Sequence, residues 1–134
     1  MPDVLPHWEP RTPAVLIASG PHAIPVSTAV RSGDARLVFA LGRRRAMLER
    51  LREDPAAALC VLGRGVAFTA YGRVGVVREQ LEAAPVTGLE LRVERVQDHL
   101  ADGRTEMRGG ARYEWRDPKA AESEPRIAAE LRAL

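Results

Sequence analysis

Apolar positions along this chain fall mostly in short runs or alternate with polar ones, and only two stretches hold them at helical spacing. Residues 14–19 form a short apolar run ended by Gly20-Pro21, which predicts a strand and a turn. Residues 23–31 predict a second strand. Ser32-Gly33-Asp34 is a turn signal, and 36–41 predict a third strand with Leu37 and Phe39 on one face and Val38 on the other. Short turns between these three imply a meander. Gly42 breaks the pattern, and residues 44–53 predict a helix with Met47, Leu48 and Leu51 on one stripe and a stop at Asp54-Pro55.

Residues 56–62 are apolar throughout, which suits a strand buried on both faces, with Cys60 in the core. Residues 66–77 are long for a strand, and Gly72 and Gly75 are where it could bend. Residues 78–87 predict a connection. In 88–97, Leu89, Leu91 and Val93 alternate with Glu90, Arg92 and Glu94, the mark of a half-exposed antiparallel strand. A polar loop over 101–110 leads to a short last strand over 112–116. A C-terminal helix over 123–134 follows, with Pro125 in its first turn and Ile127, Leu131 and Leu134 on its apolar stripe. Six or seven strands, one inserted helix and one terminal helix predict a mainly β chain forming a small antiparallel barrel.

At 134 residues the chain suits one core, so a ligand must sit in a surface cleft or at a subunit interface. Residues 1–13 carry four prolines and predict an irregular leader, with Trp8 pinning it to a single domain over 14–134. They do not resemble a signal peptide, and no apolar run reaches membrane-spanning length. The expectation is a cytoplasmic protein with no membrane partner. Lys and Arg number 20 against 18 Asp and Glu, a net charge of +2, and there are only two each of Trp, Tyr and Phe. That balance argues against nucleic acid as a partner. One cysteine forbids an internal disulfide, and His7, His22 and His99 lack metal-ligand spacing, so no metal site is expected. No nucleophile elbow, Walker loop or dinucleotide fingerprint is present. Any redox chemistry would come from a cofactor.

The informative cluster is Arg43-Arg44-Arg45, which follows a strand and opens a helix. A helix start carries partial positive charge, so each arginine there is unfavourable by up to about 1 kcal/mol. An anion docked at that end reverses the sign, because free amides and guanidinium forks then bind it together. The other reading is a solvated basic turn whose charges pair with Glu49 and Glu53. Likewise Pro25 to Thr28 reads equally as an edge strand with Pro at a bulge. Tyr71 and Trp115 are candidates for a pocket wall, with core packing favoured.

His22-Ala-Ile-Pro-Val-Ser-Thr-Ala-Val, Arg36-Leu-Val-Phe-Ala-Leu-Gly, the basic turn, Met47-Leu-Glu-Arg-Leu-Arg-Glu-Asp-Pro55 and Phe68-Thr-Ala-Tyr-Gly-Arg-Val-Gly-Val follow one another in an order that resembles the pyridoxamine 5′-phosphate oxidase-like flavin proteins. The resemblance spans about residues 14–78 and more weakly 88–116. It implies a split β-barrel that pairs into a homodimer with the cofactor in a groove between subunits. By position, Pro25, Val26, Ser27 and Thr28 would flank the flavin ring. Leu41 and Gly42 would lie beside the ribityl chain, and Arg43, Arg44 and Arg45 would approach the phosphate. Met47 stands where relatives often carry a phosphate-holding lysine. Pro25 stands where true pyridoxamine 5′-phosphate oxidases carry an arginine, which argues against vitamin B6 oxidation. The implied function is an oxidoreductase using FMN or the deazaflavin F420 on a small molecule. The alternatives are a non-catalytic flavin- or haem-binding module, and a structural dimer with an empty cleft.

Overall fold

The computed structural model describes residues 3–43 and 45–134; Arg44, one of the three turn arginines, lies outside them. The chain runs β1 (Ala14–Ala18), β2 (His22–Val26), β3 (Val30–Arg31), β4 (Arg36–Gly42), α1 (Ala46–Glu53), β5 (Ala56–Gly63), β6 (Val66–Arg78), β7 (Val86–Asp98) and α2 (Pro118–Ala133). All seven strands join one antiparallel sheet in the order β2-β1-β5-β6-β7-β4-β3. The sheet curls around a core of Leu16, Phe39, Leu59, Phe68, Leu89 and Leu91, and the buried Met47, Leu48 and Leu51 of α1 plug it. This is a split barrel with an inserted helix and a C-terminal helix, as the alternation of the strands predicts. No helix among the described residues is long and apolar enough to cross a membrane.

The expected strand over 23–31 is two strands, not one. It breaks at residues 27–29, and β2 and β3 become the opposite edges of the sheet. The first three strands are therefore not a meander: β1 pairs with β2 and β3 with β4, but β2 and β3 do not pair. Residues 112–116 are not a strand. They run beside the leader, and Gly110 packs so tightly on β5 that a Cβ there would lie 2.1 Å from the Leu62 carbonyl oxygen. The C-terminal helix begins at Pro118, five residues sooner than expected. Asp117 caps it by accepting from the Lys119 amide at 2.9 Å, so Pro125 lies inside the helix rather than in its first turn.

Gly72 sits at a register shift between β6 and β7, where a Cβ would come 1.9 Å from the Arg92 carbonyl oxygen. Only a glycine lets the two backbones approach this closely. The long β6 bends there, as its glycine suggested; a second irregularity falls at Val76/Arg78, past Gly75.

The outer face of the sheet has two halves. Over β3 and β4, α2 packs Leu131 and Ile127 against Val38, Val30 and Ala40. Over β2, β1 and β5 no helix among the described residues packs on this face, while on β6 the Thr69 hydroxyl is covered by His99 at 2.8 Å. There Val15 pairs in register with Pro25 and Cys60, and Leu62 with Ala67. Val15 is 42% and Leu62 48% exposed. So β5 sends Leu59 and Val61 into the core, while on its other face Leu62 is exposed and Cys60 is half-buried rather than in the core. Tyr71 is also outside the core, with Arg95 stacked 4.1 Å over its ring.

Several hydrogen bonds tie the leader to the barrel. The Leu5 amide donates to the Asp34 carbonyl (2.7 Å), the Asp3 carboxylate accepts from the Val96 amide (2.8 Å), and the Trp8 indole donates to the Ala29 carbonyl (3.2 Å) with its ring 5.4 Å from Phe68.

Candidate functional site

The link between the two sheet edges, residues 27–29, stands between two clefts. Both clefts are lined by Ser27, Thr28, Trp115 and Glu124. The first, about 420 Å³, lies toward Arg11, Val30 and Pro125; the second, about 440 Å³, lies toward Ala40, Pro85 and Val86. Pro125 has no amide hydrogen to donate to the Ala121 carbonyl four residues back, and both residues line the first cleft.

Glu124 is the hub of this region. It is 7% exposed, and its carboxylate accepts from the Tyr113 hydroxyl, the Trp115 indole N–H and the Arg11 Nε (3.4 Å). Arg11 also donates to the Tyr113 carbonyl at 3.1 Å and stacks 4.7 Å over the Tyr113 ring. The Tyr113 hydroxyl reaches the Ser27 carbonyl at 3.4 Å, and its ring meets Trp115 edge-on at 5.9 Å. Burial, and then the bond to Glu124, push the Tyr113 hydroxyl pKa up. A buried carboxylate persists when every lone pair meets a donor, and here charge-assisted bonds do this. Trp115 is therefore a cleft wall, 41% exposed, rather than core.

The basic turn is adjacent but separate. Leu41 is buried in the barrel, and Gly42 pairs in register with Val86, which lines the second cleft. Arg43 donates to the Gln80 side chain at 2.8 Å. Arg52 holds the Glu79 carboxyl below its usual range, and the charge of Arg43 adds to this. Arg45 is the N-cap of α1, extended at φ −71°, with no side-chain bond capping the helix start. Neither Arg43 nor Arg45 pairs with Glu49 or Glu53. Met47, 1% exposed, points into the core and offers nothing to a phosphate.

Of the residues expected to form a site, Ser27 and Thr28 share the clefts. Pro25 is exposed on the edge strand, and Val26 is buried beneath it. Arg43 and Arg45 line none of the clefts described above. An anion at the turn would therefore meet uncapped first-turn amides and two guanidiniums, and no lysine. Sequence reasoning passed over Arg11, Tyr113 and Glu124.

No family model matches the sequence, and no curated protein matches it. Solved structures do. A FAD-binding protein from Mesorhizobium loti matches with a TM-score of 0.54 at 15% identity, over 63% of this chain and 83% of that one. A candidate pyridoxamine 5′-phosphate oxidase from Listeria innocua matches with a TM-score of 0.53 at 12% identity, over 66% and 88%. The flavin reductase PheA2 matches with a TM-score of 0.52 at 11% identity, over 65% and 78%. At such identities the likeness establishes the fold alone.

Proposed function

On the split-barrel fold of the pyridoxamine 5′-phosphate oxidase-like proteins, which this chain adopts, we propose that it binds a phosphorylated flavin between two copies of itself and acts as an oxidoreductase on a small molecule. The observation that carries this reading is the α1 start: a helix end with no side-chain cap, carrying Arg45 with Arg43 beside it, at the end of β4 where Gly42 pairs with Val86 of the second cleft. Arg43, Arg45 and the first-turn amides of α1 would hold the phosphate. Ser27 and Thr28 would flank the ring. The flavin would supply hydride or electron transfer. Among the solved structures of this fold are a FAD-binding protein and a flavin reductase, which supports a flavin over haem.

The homodimer rests on the uncovered apolar half of the sheet. Val15, Pro25, Cys60 and Leu62 line that face beside the edge strand that leads into Ser27, so a second copy seated there would wall the clefts. FMN or F420 is the expected cofactor.

The absorption spectrum of the purified protein, and titration with FMN and F420, test the reading. Replacing Arg43, Arg44 and Arg45 with Ala lowers cofactor affinity at least tenfold, with the melting temperature little changed. A colourless protein that takes up neither cofactor overturns it. The burial of Met47 at the lysine position favours a second reading, a non-catalytic flavin-binding module. Bound flavin that no reductant or candidate acceptor turns over would support that module.

A further inference from the structure

A third cleft, about 420 Å³, lies on the far side of Arg11, between the β5–β6 hairpin turn and residues 108–114. We propose that it is a second anion site, distinct from the basic turn, which takes a phosphate ester or pyrophosphate group.

Four guanidiniums line it, from Arg11, Arg64, Arg108 and Arg112, against two carboxylates, Glu9 and Glu114. Arg11 is bound to Glu124, which lies outside this cleft. Among the described residues, Arg64, Arg108 and Arg112 make no ion pair, although Glu9 and Glu114 line the same space. Four arginines against two carboxylates leave this cleft with an excess of positive charge, which a bound anion would neutralise. A group carrying two negative charges matches three unpaired guanidiniums better than one carboxylate does.

The backbone points the same way. Residues 108–112 form neither helix nor strand. Among the described residues their amides donate to no protein acceptor. The segment is anchored at both ends: the Gly65 amide donates to the Met107 carbonyl at 2.8 Å, and Gly110 packs against β5. A held segment with unspent amides and two glycines can approach phosphate oxygens closely. Arg11 lies at φ 63°, the one described non-glycine residue with positive φ, so the leader holds a strained backbone to set this side chain between the clefts.

Calorimetric titration of the full chain with inorganic pyrophosphate and with ADP tests the site. The wild type binds saturably, and R64Q/R108Q/R112Q loses at least tenfold in affinity with its melting transition intact. In an R43A/R45A background one saturable pyrophosphate site remains, and R64Q/R108Q/R112Q removes it, which separates this cleft from the turn proposed for the flavin phosphate. If the triple variant does not melt cooperatively, R108Q/R112Q replaces it, with a loss of at least threefold expected. Parallel titrations with FAD and FMN identify the source. A cleft variant that weakens FAD but not FMN assigns the site to a cofactor tail. One that weakens ADP alone assigns it to a separate phosphorylated ligand. No saturable binding by the wild type, equal affinity in the cleft variant, or tighter binding of a single-stranded oligonucleotide than of ADP overturns the proposal.

Discussion

Glu124 shows how much one side chain can organise. Truncating it removes the carboxylate that the Tyr113 hydroxyl and the Trp115 indole N–H bind, and leaves Arg11 without its anion. Lost bonds of this kind cost about 2 kcal/mol in sum. Glu124→Ala is therefore expected to lower the unfolding free energy in urea by that amount, with a lower midpoint, and to move Trp115 emission to the red; an unmoved midpoint would contradict the hub. The Tyr113 hydroxyl reports the same network from the alkaline side. Its folded pKa is raised above the ordinary 10.0. The stability linked to it is thus complete below that value and is lost as pH climbs through the higher folded value. In a Tyr71→Phe background, where Tyr113 is the last tyrosine, ultraviolet titration should give a midpoint above 10.0; one at or below it would remove the claim. The sequence held a signal for Glu124. It continues the stripe of Ile127, Leu131 and Leu134 at helical spacing, so a carboxylate stood on an apolar face. Its partners, 9 to 113 residues away in sequence, could not be read from spacing.

At the scale of elements, the strands with strict alternation were legible, because one face of each lies in the core. The run 23–31 misled because Val26 and Val30 are both good strand formers, and only pairing across the sheet divides them. The run 112–116 misled because an aromatic-rich stretch there builds a cleft wall instead of a ladder. Gly72 was legible as a bend, and its reason is the neighbouring strand. Gly72→Ala would drive a Cβ into the Arg92 carbonyl, and that acceptor is backbone with little room to yield. A loss of about 2 kcal/mol or more in chemical denaturation is expected. Gly75→Ala, with open space around the added atom, serves as the matched control. Equal stability of the two variants would mean that the bend does not depend on the glycine.

At the scale of the whole molecule, the proposed homodimer is tested through the outward apolar residues of β1 and β5. A polar charge at the centre of that face should break any pairing: Leu62→Glu or Val15→Lys is expected to turn a dimer into a monomer in light scattering after gel filtration. Cys60 sits within this face. Its thiol should react slowly in the wild type and faster in either variant. A wild type that is monomeric at every concentration would sink the shared groove. The order of strands carries one more consequence. The two rims of the sheet, β2 and β3, are joined by only residues 27–29, so this strap is also the buckle that keeps the cylinder rolled. Whatever grips Ser27 and Thr28 tightens that buckle. Its occupancy would register as slower amide exchange along both rims, in strands that the guest never touches.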